Sequence, residues 1–218
     1  MTNDSEATDA PEAVDDDPHP FLRADEYLGP AVAEHGELSV ETAEDLFERL
    51  VVSILRQQVS MASAAATRER LFDAVDVTPD GIRAADDDVL RDVGLSRQKT
   101  RYVNAVAETF AERGYSVDHF ADWDDDAVRE ALTSITGVGD WTANMQLLFA
   151  LGREDVFPVG DLGVRKGMRR VFPDGDDLSR SEMVGRAERW KPYRSYATLY
   201  LWRIEEDVVD GVDEVVED

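Results

Sequence analysis

Apolar residues recur every three or four positions through most of this chain, and the first long stripe begins after residue 42. Its apolar positions are Leu46, Phe47, Leu50, Val51, Ile54 and Leu55. This spacing predicts an amphipathic helix that starts at Thr42, whose hydroxyl can cap the first turn, and ends near Arg56. A second helix is predicted over 62–72, and the residues Thr78-Pro79-Asp80-Gly81 are typical of a turn.

Helical spacing continues to the end of the region that we expect to fold. The joint at Gly94–Lys99 leads into a helix closed by Gly114, and further helices are predicted at 124–135, 140–151, 161–172, 181–190 and 193–204. We find no set of alternating strands and no repeat of fixed period, so the predicted fold class is all-α.

Composition limits the classes of protein to consider. The 218 residues suffice for one large domain or two small ones, and the lack of cysteine excludes disulfides, thiolate zinc sites and cysteine-bound iron–sulfur clusters. Residues 1–20 are acidic and poor in apolar side chains, so we expect a disordered tail, then a folded domain over 21–204 and a second acidic tail over 205–218. With no signal peptide or membrane-spanning run in the sequence, we expect a cytoplasmic protein. We also expect it to be a monomer.

The net charge of −25 is unevenly distributed along the chain. Residues 1–48 carry a net charge of −14 and residues 205–218 a net charge of −8, whereas residues 161–203 contain 10 basic and 6 acidic residues. Only 3 of the 23 basic residues are lysines, and high acid with arginine over lysine indicates the cytoplasm of an extreme halophile. The alternative is that the acidic tails repel wrong partners.

The stretch from Leu132 to Ala143 carries the strongest chemical signal. It is typical of two helices joined by a Gly137-Val138-Gly139 hairpin, which brings backbone amides and a helix N-terminus against a phosphate. Gly-x-Gly alone also occurs at ordinary helix corners, but the flanking helices and the following Thr142 favour binding of a DNA backbone. Backbone carbonyls of the same loop are candidates to hold a monovalent cation between protein and phosphate.

Asp161 is the candidate catalytic residue, since it lies at the start of a predicted helix 22 residues after Gly139. An aspartate that follows Pro-Val-Gly is also an ordinary helix N-cap, and the two roles are compatible. A helix N-terminus stabilises an ionised carboxylate, and the ionised form stabilises a sugar cation as a glycosidic bond breaks.

Other polar and aromatic residues leave more than one interpretation open. Gln57 and Gln58 end a predicted helix, either as a solvated terminus or as side chains that enter the gap left by a flipped nucleotide. Aromatic residues are plentiful in the C-terminal half, where most are expected in the core and a few could stack on a flipped base. They are Trp123, Trp141, Trp190, Tyr193, Tyr196, Tyr200 and Trp202.

Four blocks of sequence together resemble the helix-hairpin-helix DNA glycosylase superfamily, most closely its 3-methyladenine DNA glycosylase II members, over roughly residues 40–204. The blocks are 55–60 (LRQQVS), 137–144 (GVGDWTAN), 155–161 (DVFPVGD) and 188–197 (ERWKPYRSYA). The resemblance implies two helical subdomains that flank a DNA-binding and active-site cleft, with a helix-hairpin-helix motif. It also implies double-stranded DNA with damaged bases as the partner, and no required cofactor.

The resemblance assigns roles to individual residues. It implies that Asp161 is catalytic, and that the base pocket is lined by Trp141, Met145 and Trp202. The implied DNA contacts come from Gln57, Gln58, Gly137, Val138, Gly139 and Thr142. The backbone carbonyls of Thr133, Ile135 and Val138 would hold Na⁺ or K⁺ at the hairpin when DNA is bound. Met145 stands where the family has tyrosine. Gln58 stands at the intercalating position, where the bacterial 3-methyladenine DNA glycosylase II has an aliphatic residue.

Trp141 occupies the position at which bifunctional members of the superfamily carry a lysine nucleophile. Because no Schiff base with the sugar can form there, we expect a monofunctional glycosylase that leaves an unnicked abasic site. Alkylated purines such as 3-methyladenine and 7-methylguanine are cationic leaving groups that need no general acid, which fits a site with one carboxylate. Two alternatives stay open: a glycosylase for another lesion such as hypoxanthine, and a non-catalytic helix-hairpin-helix module that only binds DNA.

Overall fold

The computed structural model describes residues 17–40 and 42–204, and every regular element in these ranges is helical. The α-helices, in chain order, are α1 (Pro18–Arg23), α2 (Gly29–His35), α3 (Leu46–Arg56), α4 (Met61–Ala74), α5 (Pro79–Ala84), α6 (Asp87–Asp92), α7 (Arg97–Arg113), α8 (Asp125–Thr133), α9 (Asp140–Phe149), α10 (Leu162–Val171), α11 (Arg180–Ala187) and α12 (Arg194–Ile204). Short 3-10 segments occur at Asp118–Phe120, Gly175–Asp177 and Glu188–Trp190. The predicted all-α class is confirmed.

The helices pack into two groups that correspond to the two expected subdomains. Helices α3 to α9 come from the middle of the chain, and within this group α7 packs against α3, α5 and α6, while α8 packs against α9. Helices from both ends of the chain form the other group, in which α12 packs against α10 and α2. The groups meet where the Phe149 ring of α9 stacks on the Trp202 ring of α12. The segment that carries Asp161 starts α10 beside this junction.

Most predicted helices are observed with ends close to those expected, because their caps are local. Asp161 caps α10 by accepting the Val164 amide at 2.9 Å. Gly114 ends α7 with a φ of 65°, in the left-handed region that favours glycine. Local sequence therefore predicts where these helices begin and end.

Two predicted boundaries are wrong. Helix α3 begins at Leu46 and not at Thr42, because Asp45 is extended and caps the helix by accepting the Glu48 amide at 2.9 Å. The neighbouring Ala43 amide donates instead to the Phe149 carbonyl at 2.9 Å, a contact between distant segments that no local pattern indicates. The stretch 78–81 is not a separate turn, since Thr78 caps α5 by accepting the Gly81 amide at 3.0 Å.

The expected N-terminal boundary also needs correction. Residues 18–20 belong to α1, which Asp17 caps by accepting the His19 amide at 3.0 Å. The His19 Nε2 atom lies 2.9 Å from the Leu38 carbonyl oxygen and so ties α1 to a later segment. The disorder and fraying expected for the rest of the tails fall on 1–16 and 205–218, outside the described residues. Within 17–40 and 42–204, no helix has the length and apolar character that crossing a bilayer requires.

Candidate active site

The turn between α8 and α9 presents backbone amides at a helix N-terminus. The Val138 amide donates to the Ile135 carbonyl at 3.1 Å and closes the turn. Gly139 is the N-cap of α9 and has no side chain to bond the first amides of the helix, which are left for an external acceptor. These amides and the positive end of the helix dipole form a site suited to a phosphate.

Gly137 is required in this turn for two reasons. Its φ is 97°, a conformation that L side chains rarely adopt. A Cβ atom at this position would lie 2.2 Å from Cγ of Tyr102, whose ring on α7 packs directly against the turn. Any side chain here would therefore displace either the turn or Tyr102.

The carboxylate of Asp161 receives hydrogen bonds from three helices. The Val164 amide of α10 and the Trp202 indole of α12 each donate to Oδ1 at 2.9 Å. The Trp141 indole of α9 donates to Oδ2 at 2.7 Å. Because both oxygens accept hydrogen bonds, the carboxylate is held in one orientation. The residue is thus both the N-cap of α10 and the centre of a constellation built from both helix groups.

The two tryptophans at this carboxylate differ in exposure. Trp141 is 42% exposed, and Leu162, which follows Asp161, is 56% exposed, so accessible apolar surface borders the carboxylate. Trp202 is 4% exposed, and its ring stacks on Phe149 with the centroids 5.8 Å apart. Trp141 therefore offers an accessible ring, whereas Trp202 chiefly offers its N–H edge.

A half-buried arginine lies against the Phe149 ring on which Trp202 stacks. The guanidinium carbon of Arg49 lies 5.0 Å from the centroid of the Phe149 ring. Burial, together with the smaller effect of the nearby charge of Arg56, lowers the pKa of Arg49 to about 10. Arg49 therefore stays cationic at neutral pH and faces the aromatic stack.

The loop that leads to Asp161 is fixed by side chains of α12. Arg194 forms a bidentate ion pair with Asp155, with N–O distances of 2.6 and 2.9 Å. The Ser195 hydroxyl accepts the Val156 amide at 2.9 Å. Both residues belong to the 188–197 block, so these contacts make that block a support for the loop that carries the carboxylate.

A model of the HhH-GPD superfamily of base excision DNA repair proteins matches residues 51–193, which include the turn and Asp161. The chain belongs to this superfamily. Putative DNA-3-methyladenine glycosylase YfjP of Bacillus subtilis is 30% identical over 179 residues. The match covers 78% of this chain and 62% of YfjP, so the chain spans about three fifths of that relative.

Solved structures also resemble this HhH-GPD protein. DNA-3-methyladenine glycosidase from Bacillus halodurans superposes with a TM-score of 0.79 at 29% identity, over 89% of this chain and 92% of that chain. Schizosaccharomyces pombe 3-methyladenine DNA glycosylase (Mag1), in complex with abasic DNA, superposes with a TM-score of 0.73 at 26% identity, over 85% and 95% of the two chains. The resemblance to 3-methyladenine DNA glycosylase II drawn from the sequence blocks is confirmed.

Within the HhH-GPD fold, the predicted site residues occupy different environments. Thr142 is 3% exposed and Val138 is also buried, so neither presents its side chain on the surface. Met145 is buried one helical turn after Trp141, on the same face of α9. It therefore lies on the helix face that carries Trp141, at the position where the resemblance implies a tyrosine.

The two glutamines after α3 lie in different environments. Gln58 is exposed and has a φ of 59°, in the left-handed region that is unusual for a residue other than glycine. Gln57 is half-buried, and its Nε2 donates to the Gly137 carbonyl at 3.2 Å. Gln57 thus makes an internal contact with the HhH-GPD turn, and its contact with DNA stays a prediction.

Sequence reasoning missed two residues of the site. A Cβ atom on Gly163 would lie 2.7 Å from Cδ1 of Trp202 and 3.2 Å from Oδ1 of Asp161. Gly163 therefore leaves the space in which the indole reaches the carboxylate. Glycine has a low helix propensity, so its presence in the first turn of α10 was a signal in the sequence that this position needs a residue without a side chain. The contact of Tyr102 with Gly137 had no local signal.

Proposed function

We propose that this protein is a monofunctional DNA glycosylase of base excision repair that hydrolyses the N-glycosidic bond of alkylated purines. The observation that carries the proposal is the Asp161 carboxylate, fixed by two indole N–H groups beside the accessible ring of Trp141. The names of the B. subtilis and B. halodurans relatives support 3-methyladenine as a substrate, and 7-methylguanine carries the same positive charge.

The chemistry of the substrate explains why one carboxylate suffices. An alkylated purine is cationic before the reaction, so it leaves without a general acid. Positive charge then develops on the deoxyribose, and Asp161 stabilises it from a fixed position with no reorganisation during the reaction. Asp161 acts either through this charge alone or also by orienting or deprotonating the attacking water.

Base recognition follows from the surroundings of the carboxylate. A cationic base that stacks on the accessible ring of Trp141 gains about 0.5–2 kcal/mol from the ring quadrupole. Met145 supplies an apolar wall, and Trp202 closes the pocket while holding Asp161. Selection then rests on the charge and weak pairing of the damaged base, because such a base costs least to flip out of the duplex.

The identity of residue 141 argues against strand cleavage through a covalent intermediate with the sugar. Trp141 stands where bifunctional members have a lysine, and an indole nitrogen forms no Schiff base with the sugar. The product is therefore an abasic site in an unbroken strand. This part of the proposal is tested by borohydride, which traps a Schiff base as a covalent protein–DNA adduct.

Contacts with double-stranded DNA are proposed at the HhH-GPD turn and at Gln58. The amides around Gly137 and Gly139 would bind a phosphate, while Gln58 would enter the gap left by the flipped nucleotide. The Mag1 relative was solved in complex with abasic DNA, which supports this partner.

A monovalent cation is also proposed at the turn when DNA is bound. Carbonyl oxygens are the ligands that K⁺ and Na⁺ use in proteins. Thr133, Ile135 and Val138 lie at the turn, where the Ile135 carbonyl accepts one hydrogen bond and keeps a second lone pair. A cation on these carbonyls would neutralise part of the phosphate charge. Its role is limited to DNA binding, and the proposed chemistry requires no cofactor.

The deciding experiment compares the protein with Asp161→Asn. Asparagine also caps helices, so the variant should fold while losing the negative charge. Release of labelled methyl-purines from alkylated duplex DNA should fall by at least about 100-fold, with binding to the damaged duplex retained. Asp124→Asn is the matched control, because Asp124 caps α8 by accepting the Ala127 amide at 2.7 Å. Full release by Asp161→Asn would overturn the mechanism.

The remaining outcomes separate the alternatives. Release of hypoxanthine in place of methyl-purines would indicate another lesion, and DNA binding with no release of any base would indicate a non-catalytic module. The assay at low and at molar KCl tests the halophilic adaptation, which stays a prediction together with the monomeric state and the cytoplasmic location. Phosphate contacts weaken as salt rises, so activity retained in molar KCl would require backbone and stacking contacts.

A further inference from the structure

The link between α3 and α4 holds one residue in a strained conformation. Gln57 is the C-cap of α3 with an extended ψ of 123°, and Gln58 follows with a φ of 59°. Gln58 is the one non-glycine residue with positive φ in the described part of the chain. Ser60 then caps α4 by accepting the Ser63 amide at 3.3 Å. We call residues 57–60 the wedge segment.

Two side chains attach this region to other elements. Gln57 Nε2 donates to the Gly137 carbonyl, between residues 80 positions apart in the sequence. The Lys99 ammonium at the start of α7 donates to the Leu55 carbonyl in the last turn of α3, and its burial lowers the pKa of Lys99. The wedge segment is thus held at its first residue and by the helix end before it.

Helix α7 contacts both the end of α3 and the HhH-GPD turn. Its Tyr102 ring packs against Gly137, where a Cβ atom would lie 2.2 Å from the ring carbon Cγ. The Tyr102 hydroxyl is in turn 2.5 Å from Nε2 of Gln98. The end of α3, the start of α7 and the HhH-GPD turn are therefore joined by direct contacts, and Gln57 makes the direct hydrogen bond between the wedge segment and the turn.

We propose that Gln57 is a positioning residue that sets the wedge residue Gln58 in register with the phosphate-binding turn. This inference rests on the proposed function, because it concerns the extrusion of a base from duplex DNA. The amide of Gln57 is used inside the protein and needs no contact with DNA. Because Gln57 bonds the turn, binding of the turn to the DNA backbone also places Gln58 beside the base that is to be extruded.

The physical reason lies in the conformation of Gln58. A left-handed backbone is unfavourable for a side chain with Cβ, so an unrestrained link would relax away from it. The free protein would then have to order the wedge segment at each encounter with DNA. With Gln57 bonded to the turn, this ordering precedes DNA binding and the flipping step loses less entropy.

The experiment compares two substrates that differ in the cost of flipping. One has the damaged base in a stacked pair, and the other has it opposite a mismatch, where extrusion costs less. Gln57→Ala and the nearly isosteric Gln57→Glu both remove the donor to Gly137. Single-turnover release should fall about 5- to 10-fold on the paired substrate, the loss expected for one hydrogen bond, and less than about 2-fold on the mismatched one.

A matched control removes a similar bond elsewhere. Asn104 lies on α7, where its Nδ2 donates to Asp87 Oδ1 at 2.8 Å. Asn104→Ala should leave the ratio of the two rates unchanged. Equal losses on both substrates, or no loss by Gln57→Ala, would overturn the inference, and melting temperatures show whether each variant is folded.

A second readout keeps this inference separate from the proposed activity. In the Asp161→Asn background, 2-aminopurine placed beside the lesion reports unstacking without base release. Gln57→Ala should reduce the amplitude of the fluorescence increase. If wild-type protein releases no base but this amplitude depends on Gln57, the proposed catalysis fails and the positioning role stands. If release occurs and the amplitude is independent of Gln57, the positioning role fails.

Discussion

Replacing Gly163 by alanine should uncouple Trp202 from the Asp161 carboxylate with little effect on folding. The new Cβ atom would lie 2.7 Å from Cδ1 and 3.1 Å from Nε1 of Trp202. Carbon atoms in ordinary contact are about 3.5–4.0 Å apart, so the indole must move by about 0.8 Å or more. Phe149 stacks on the ring with an interplanar angle of 20°, which opposes movement of the indole toward Phe149.

The expected size of the effect follows from the bond that is lost. The Trp202 indole donates to Asp161 Oδ1 at 2.9 Å, and hydrogen bonds to charged groups contribute about 1.5–3 kcal/mol. If this bond contributes fully in the transition state and not in the ground state, its loss slows base release by about 10- to 150-fold, which is the upper limit of the effect. Alanine is favoured over glycine within helices by about 1 kcal/mol, which offsets part of the strain in the folded state.

The assay is single-turnover release of methyl-purine, with the melting temperature measured for every variant. Gly185→Ala is the control, because Gly185 lies within α11 and a Cβ atom there meets nothing within 4 Å. Trp202→Phe removes the N–H donor while keeping a ring. In that background Gly163→Ala should cost little more, since both changes remove the same bond. Wild-type rates in Gly163→Ala, or losses that add in the double variant, would refute the reasoning.

Two further predictions concern stability. Asp45→Ala should lower the free energy of unfolding by about 1 kcal/mol, because the cap of α3 is lost. Thr42→Ala should change it little in the same denaturant titration. A larger loss for Thr42→Ala than for Asp45→Ala would contradict the observed start of the helix. The hydroxyl and the amide of Ser179 are both hydrogen-bonded to Glu182 in a capping box, and these bonds hold the pKa of Glu182 below its ordinary value. The charged form of Glu182 therefore favours folding, and this stability is lost as pH falls through the lowered pKa. Glu182→Gln should therefore melt below wild type at pH 7, with the difference closing as pH falls through the ordinary pKa of glutamate and then through the lowered one, and a pH-independent difference would refute this.

Local features of the sequence determined the helical class, most helix ends and the identity of the central carboxylate. Apolar spacing reports which face of a helix is buried, and N-caps depend on groups three residues apart, as in Asp161 and Val164. The same locality explains the misplaced start of α3, where a hydrogen bond from Ala43 to Phe149 competes with helix formation. Resemblance to the superfamily also implied that Trp141 and Trp202 belong to the same site as Asp161.

Only the tertiary structure decided how these groups meet. The indoles of Trp141 and Trp202 lie 20 and 41 positions from Asp161, and each reaches a different carboxylate oxygen because α9, α10 and α12 converge. Gln57 lies next to Gln58 in the chain, yet it bonds the turn while Gln58 faces solvent. Side-chain direction at a helix end depends on which distant elements pack there, and no periodicity within one helix contains that information.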